Sequence, residues 1–228
     1  MKIKFYGNKE LLFRKKLILY EDSIHIWIIK WEEIKKFWNS HRHILNAEEI
    51  VKARGYRFYD DKMRYIAGKI LTRMLLQQYL KVKKIFIETG KYGKPYHRKI
   101  PYKKRIQFNI SHSGKLILAV FSYYPRVGID VQEIKEICDY IDIANNFFSV
   151  EEALDIEKRG DLILFYQYWA AKEAYLKALG IGLSRGMDFF SIKDSSIIEK
   201  ERVKVGWRIY PIKIEEYAAY VAIQEKGR

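Results

Sequence analysis

An aspartate and a glutamine stand where they could hold a metal ion. Asp130 and Gln132 close the apolar run Val127–Gln132, and alternate residues of a strand share a face. Since the run is apolar and ends here, we expect Asp130 to be exposed at the rim of a sheet. Carboxylate and amide oxygens are ligands that Mg²⁺ prefers. The alternative interpretation is a solvated strand end.

A second group lies on a predicted helix. Trp169, Glu173 and Lys177 are four residues apart and therefore share one helix face. Glu173 could add an oxygen ligand, and Lys177 could offset the charge of a phosphate, because Mg²⁺ usually binds through one or two carboxylates plus substrate phosphates. The alternative is a surface ion pair worth about 0.3–0.5 kcal/mol.

A third group is the polar segment Phe108–Gly114. Ser111 and His112 beside a glycine can offer hydrogen-bond donors to a phosphate. A polar turn between two strands is the simpler interpretation. Adjacent Ser and His residues do not normally align a hydroxyl with an imidazole, so a nucleophilic pair is not expected.

These groups need a framework of helices and strands. In the first half we predict a strand over 23–29, a polar helix over 46–57, and a long helix capped by Asp60 or Asp61 that ends near Leu80. One face of that helix is apolar: Met63, Ile66, Ala67, Ile70, Leu71, Met74 and Leu75. Further strands are predicted over 84–88, 115–122 and 126–132, with a turn over 90–95.

The second half begins with helix signals. Ser149 and Glu152 have the spacing of a capping box. A helix is predicted over 161–179 and should end at Gly180. Strands are predicted over 189–192, 204–210 and 217–224.

Composition narrows the class of protein. The 228 residues are 49% apolar and 31% charged, which excludes a disordered chain. The single cysteine, Cys138, suits a reducing cytoplasm, and no apolar run approaches the length of a membrane span. We therefore expect a cytoplasmic protein that is not inserted in a membrane.

The charge is uneven along the chain. The formal net charge is +15, and residues 1–107 carry 27 Lys and Arg against 10 Asp and Glu, whereas residues 108–228 carry 16 against 18. We predict two domains with these bounds. A basic excess indicates a phosphate-rich or carboxylate-rich partner, with nucleic acid as the first candidate from composition alone, although a solvated lysine-rich surface is also compatible with it.

Four motifs in order resemble the 4′-phosphopantetheinyl transferases: GKP at Gly93–Pro95, FNISHS at Phe108–Ser113, GIDVQ at Gly128–Gln132, and WAAKEAYLKALGIGLS at Trp169–Ser184. The likeness covers residues from about 46 to 192, and the length is similar to the surfactin-synthetase-activating type. It implies an α+β fold of two similar α/β subdomains with pseudo-twofold symmetry, and a monomer.

The resemblance also implies an activity. The family transfers the phosphopantetheine arm of coenzyme A to a serine of an acyl, polyketide or peptidyl carrier protein, which is usually acidic. It releases adenosine 3′,5′-bisphosphate and needs Mg²⁺. By motif match, Asp130 and Glu173 are the expected metal ligands and Lys177 contacts the pyrophosphate. Gln132 is a third expected ligand, which could bind the metal directly, bind it through water or leave that place to solvent. Because Glu173 lies between the metal motif and the lysine, it is the candidate general base, acting directly or through a metal-bound water. Gln132 stands where many members have a second carboxylate.

The remaining matches concern coenzyme A. The resemblance implies that Ser111, His112, Arg64 and Lys172 contact phosphates, with His112 and Arg64 near the 3′-phosphate. It places the loop of Gly93, Lys94 and Pro95 along the adenine and ribose. It also implies a basic residue further upstream, which falls near Lys52 or Arg54, with Lys52 favoured.

Two other functions compete with transfer. A non-catalytic binder of coenzyme A or of a carrier protein is favoured only by Gln132. A nucleic-acid-binding protein is suggested by the basic first half and by 35 aromatic residues, but the aromatic residues are dispersed and no recognised nucleic-acid motif is present.

Overall fold

The computed structural model describes residues 1–12, 17–182 and 186–227. The chain divides into two units, one formed by residues 1–88 and 95–123 and the other by residues 89–94 and 124–228. We expected a boundary at 107/108. The division lies further along the chain because the two strands that follow residue 107 pair into the sheet of the first unit.

The first unit contains six strands and four α-helices among the described residues. The strands are β1 (Lys2–Tyr6), β2 (Ser23–Lys30), β3 (Ile87–Thr89, whose last residue belongs to the second unit), β4 (Pro95–His97), β5 (Gln107–Ser113) and β6 (Leu116–Ser122). The helices are α1 (Asn8–Leu12), α2 (Lys35–Ser40), α3 (Ala47–Arg54) and α4 (Tyr59–Leu80), with 3₁₀ turns at Trp31–Ile34 and Arg42–Ile44.

The sheet of this unit has the order β1-β2-β6-β5. β1 and β2 are parallel, and the other two pairings are antiparallel. β6 is buried at every residue, which explains its continuous apolar sequence. The short strands β3 and β4 form a separate sheet.

Helix α4 covers this sheet. The predicted apolar face is confirmed, because six of its seven residues are buried and Met74 packs partly buried against the same core. The predicted caps are wrong: Asp60 and Asp61 lie within the first turn, and the N-cap residue Phe58 makes no side-chain capping bond. Asp61 instead accepts a hydrogen bond from Arg64.

The second unit contains six strands and three helices among its described residues. The strands are β7 (Arg126–Glu133), β8 (Phe190–Lys193), β9 (Ser196–Glu199), β10 (Arg202–Val203), β11 (Trp207–Pro211) and β12 (Tyr217–Gln224). The helices are α5 (Tyr140–Phe147), α6 (Val150–Arg159) and α7 (Leu162–Leu179). Two antiparallel sheets result, β11-β12-β7 and β10-β9-β8.

Local signals set the ends of two helices. The capping box is confirmed, since Ser149 and Glu152 bond reciprocally at the start of α6. Asp161 caps α7, and Gly180 ends it in the left-handed region with φ of 74°. The final residues of the fourth motif, Leu183 and Ser184, lie outside the described residues.

Gly128 allows α7 to pack directly on β7. A Cβ atom built at Gly128 would lie 2.1 Å from the carbonyl oxygen of Ala174 and 2.3 Å from the amide nitrogen of Ala178. Those distances are too short for any side chain, so glycine is required for the approach. This contact places the residues of β7 beside those of the last turns of α7.

Gly128→Ala should therefore lower the free energy of unfolding by about 1–3 kcal/mol, since overpacking forces the backbone to shift. Gly55→Ala is the control, because its Cβ would be 3.5 Å from the nearest atom, an ordinary contact. Urea denaturation of both variants measures the difference. Equal stability of the two variants would contradict the close approach.

The fold class is α+β, as predicted. Each unit combines a long helix with a sheet, but one sheet has four strands and the other has three. Pseudo-twofold symmetry remains a prediction. Among the described residues, no helix has both the length and the apolar composition that crossing a membrane requires.

Candidate metal and phosphate site

Asp130 is the centre of a charged cluster in the second unit. It lies inside β7, opposite Tyr220 of β12, and its side chain is completely buried. The expectation that Asp130 is exposed at a sheet rim is wrong. The sheet extends three residues beyond it and α7 covers this strand, so the carboxylate requires internal partners.

Those partners come from α7. The Lys177 ammonium forms an ion pair with Oδ1 of Asp130 and lies 3.4 Å from Oε2 of Glu173. The indole Nε1 of Trp169 donates to Oε1 of Glu173 at 3.0 Å. The predicted shared face of Trp169, Glu173 and Lys177 is therefore confirmed, and it faces the carboxylate of β7.

Gln132 completes the cluster. Its amide Nε2 donates to Oδ2 of Asp130 at 2.9 Å, which confirms that the two side chains share one strand face. Gln132 is partly buried and adds no charge. The three predicted metal ligands and the predicted pyrophosphate lysine are thus brought together by two elements.

The charged groups of the cluster change one another's pKa. Burial raises the pKa of Glu173, and the neighbouring Asp130 carboxylate raises it further, against the opposing effect of Lys177. Burial disfavours the charged form of Lys177, but Asp130 and Glu173 outweigh burial and raise the pKa of its ammonium. The result is a lysine that stays protonated beside a carboxyl group whose affinity for a proton is increased.

The oxygen atoms of this cluster fit a magnesium ion. Asp130 and Glu173 offer carboxylate oxygens and Gln132 an amide oxygen, which is the donor chemistry of a hard cation. The position of the Lys177 ammonium shows that a positive charge is accommodated between the two carboxylates. Among the described residues, no three aspartate, glutamate, histidine or cysteine side chains are grouped so that they alone could hold a metal ion.

Lys172 does not lie at this site. Its side chain is fully buried, and its ammonium lies 2.7 Å from the carboxylate of Glu152 and donates to the carbonyl oxygens of Met187 and Phe190. The three protons of the ammonium are therefore engaged inside the unit. The expectation that Lys172 contacts a phosphate is corrected: it holds α7 to α6, to Met187 and to the first residue of β8.

The sequence offered one signal for this role. Lys172 lies among Ala170, Ala171 and Ala174, on an alanine-rich stretch that suits close packing. A lysine there requires a buried partner, and that partner is Glu152. From the sequence, Glu152 is predicted only as the N3 residue of a capping box, three positions after Ser149.

The GKP loop is divided between the units. Gly93 has φ of 87°, and Lys94 donates to the carbonyl oxygens of Val127 at 3.1 Å and Ala178 at 2.8 Å, all within the second unit. Burial, with a contribution from the charge of Arg126, lowers the pKa of Lys94 to about 8. The Lys94 ammonium therefore stabilises the end of α7. Pro95 begins β4.

The other predicted phosphate contacts lie in the first unit. Ser111 and His112 belong to β5, so the interpretation of this segment as a polar turn is wrong: Phe108–Ser113 pair with β6, and only its last residue, Gly114, lies in the turn. Ser111 is buried and His112 is exposed. Arg64 donates to the carbonyl oxygen of Gly114 at 2.7 Å, which places the guanidinium at the end of the strand that carries His112.

Lys52 belongs to another element of this unit. It is exposed on α3, and its ammonium lies 5.5 Å from the ring of Tyr65, the residue after Arg64 on α4. The first unit therefore brings Arg64 to the strand of Ser111 and His112, while Lys52 lies over the neighbouring residue of α4.

Comparison with known proteins agrees with this division. A model described as "4′-phosphopantetheinyl transferase superfamily" matches residues 126–222, and one described as "4′-phosphopantetheinyl transferase, N-terminal" matches residues 29–122. The two matches meet close to the boundary between the units. They extend the likeness well beyond the segment 46–192 expected from the motifs.

Curated relatives give the same result. The 4′-phosphopantetheinyl transferase Sfp of Bacillus subtilis is 33% identical over 71% of this chain and 70% of its own length. The 4′-phosphopantetheinyl transferase gsp of Aneurinibacillus migulanus is 30% identical over 74% of each chain. HetI of Nostoc sp., which carries the same enzyme name, is 29% identical over 74% of this chain and 73% of its own.

Proposed function

Because the chain belongs to the 4′-phosphopantetheinyl transferase family, we propose that it transfers the phosphopantetheine arm of coenzyme A to a serine hydroxyl of an acyl, polyketide or peptidyl carrier protein. The serine oxygen forms a bond to the β-phosphorus, and the bond from that phosphorus to the bridging oxygen breaks. Adenosine 3′,5′-bisphosphate leaves with the bond electrons.

The observation that carries the proposal is the cluster of Asp130, Glu173 and Lys177. It combines oxygen donors for a cation with an ammonium held beside them, and phosphoryl transfer depends chiefly on such charge stabilisation. When bound, Mg²⁺ would offset negative charge on the phosphate oxygens. Asp130, Glu173 and Gln132 would hold it.

Three residues of α7 have distinct roles in this reaction. Lys177 stabilises charge on the diphosphate as the leaving group departs. Glu173, whose carboxylate lies beside the Lys177 ammonium, takes the proton of the carrier serine. Trp169 donates to one oxygen of Glu173 and so fixes the orientation of the other.

The remaining predicted residues, apart from Lys172, are candidates for binding the coenzyme. Arg64 and His112 suit the 3′-phosphate, because they combine a guanidinium with an exposed imidazole near one strand end. Ser111 and Lys52 are further candidates for phosphate. The loop of Gly93, Lys94 and Pro95 would contribute backbone groups, since the Lys94 ammonium is engaged elsewhere.

His112→Ala should raise the KM for coenzyme A about tenfold, because a hydrogen bond to a charged phosphate is lost. The KM for dephospho-coenzyme A, which has no 3′-phosphate, should change little. Steady-state kinetics with both substrates measures this. Equal increases for the two would remove His112 from the 3′-phosphate.

Gln132→Glu should tighten Mg²⁺ binding about tenfold, because it restores a carboxylate to the ligand set. Gln167→Glu, an exposed change on α7, is the matched control for the added charge. Titration of the transfer rate with Mg²⁺ gives the half-saturating concentration. An unchanged value would show that the side chain at 132 is not a ligand.

The reaction itself is tested by its second product. Incubation of the protein with coenzyme A, Mg²⁺ and an apo carrier should release adenosine 3′,5′-bisphosphate, measured by chromatography. A carrier whose acceptor serine is replaced by alanine should give none. Release that is independent of that serine would indicate hydrolysis of coenzyme A instead of transfer. No release with any carrier class would favour a non-catalytic binder.

A further inference from the structure

The charged cluster already contains a cation. Each carboxylate directs one oxygen to a neutral donor, Gln132 for Asp130 and Trp169 for Glu173. The other oxygen of each carboxylate faces the Lys177 ammonium. Lys177 therefore occupies the space between the two carboxylates that are proposed to hold magnesium.

We infer that Lys177 acts as an internal counter-cation of the metal-free site, and that Mg²⁺ must displace its ammonium from the carboxylates in order to bind. The inference rests on the proposed magnesium site. A Mg²⁺ ion and the Lys177 ammonium between the same two carboxylates would repel each other, and both would depend on the same two negative charges.

The charge count makes the competition strong. Asp130 and Glu173 together carry two negative charges, and Gln132 adds none. With the lysine in place, an incoming cation meets one net negative charge instead of two. A site with a third carboxylate would retain two, so Gln132 leaves magnesium unusually dependent on the departure of the ammonium.

The position of Lys177 favours that departure. Its side chain is 30% exposed and lies in the last turn of α7, so solvent reaches part of the side chain although the ammonium itself is held by the carboxylates. Lys172, one turn earlier, is fully buried and cannot move in this way. Displacement would make the Lys177 ammonium available to the diphosphate when the metal is loaded.

The test is calorimetric titration with Mg²⁺ alone, without coenzyme A or carrier. Lys177→Met should bind Mg²⁺ about tenfold more tightly than the wild type, because the competing charge is gone. Lys158→Met, which removes an exposed lysine of α6, should bind like the wild type. Lys177→Arg keeps the cation and should bind no more tightly than the wild type.

A second measurement, the change in Tm on addition of Mg²⁺, applies to variants that are unstable without the metal. Lys177→Met and the polar Lys177→Gln should gain more in Tm from saturating Mg²⁺ than the wild type does, since tighter binding to the folded state raises stability more. Recovery of a folded state only upon Mg²⁺ addition is the extreme form of this result and supports the inference.

Two results would overturn it. Equal or weaker Mg²⁺ binding by both neutral variants would show that Lys177 does not compete, while transfer by the wild-type protein would leave the proposed function intact. No Mg²⁺ binding by the wild type or by any variant would refute the metal site together with the inference.

Discussion

Glu173→Gln is expected to lower the rate of phosphopantetheine transfer by about 10²–10⁴-fold at saturating Mg²⁺ and coenzyme A, the usual contribution of a general base. The amide keeps the size of the side chain and can still accept from Trp169, but it cannot take a proton. Rates with an apo carrier at several Mg²⁺ concentrations would show whether excess metal restores activity.

Glu157→Gln is the matched control for this change. Glu157 is exposed on α6, so the same loss of charge should leave the rate and the Tm unchanged. A Glu173→Gln variant with near-wild-type rates at saturating Mg²⁺ would exclude Glu173 as the base. A normal Tm with a reduced rate would show that the loss is chemical and not a failure to fold.

Lys172→Met is expected to lower the free energy of unfolding by about 3–5 kcal/mol, because it leaves the buried Glu152 without its counter-ion. Glu152 is 2% exposed and also bonds the backbone of Ser149 and Ile192, so it cannot turn to solvent. Urea denaturation gives the value. Lys158→Met, at an exposed position of α6, should cost little.

A double variant separates the ion pair from packing. Adding Glu152→Gln to Lys172→Met removes the unpaired charge and keeps the size of the side chain at 152. Part of the lost stability should return. If the Lys172→Met protein had normal stability but a raised KM for coenzyme A, the result would instead support the phosphate contact that the motif match implies.

Local signals in the sequence were sufficient for much of the fold. The periodicity of α4, the Ser149–Glu152 capping box, the end of α7 at Gly180 and the strand over 217–224 depend on neighbours in the chain, and the structure confirms them. The shared face of Glu173 and Lys177 follows from helical spacing alone.

The features that could not be predicted from the sequence depend on contacts between segments that are far apart in the chain. The segment that contains Ser111 and His112 resembles a turn because it is polar, yet it becomes a strand through its pairing with β6. The burial of Asp130 depends on the cover of α7, and the burial of Lys172 depends on Glu152, twenty residues away. The same long-range pairing moved the boundary between the units past residue 107.

The high basic charge of residues 1–107 has a partial explanation. Arg64 and Lys52 are candidates for the phosphates of coenzyme A, and a basic surface would also favour encounter with an acidic carrier protein.

The central claim is that the cluster of Asp130, Glu173 and Lys177 transfers phosphopantetheine to a carrier serine. Intact-mass spectrometry of one apo carrier, incubated with coenzyme A, Mg²⁺ and either wild-type, Glu157→Gln or Glu173→Gln protein, tests it directly. We predict a gain of one phosphopantetheine with the first two proteins and an unmodified carrier with the third over the same period. An unmodified carrier with the wild-type protein, or an equal gain with Glu173→Gln, would contradict the claim.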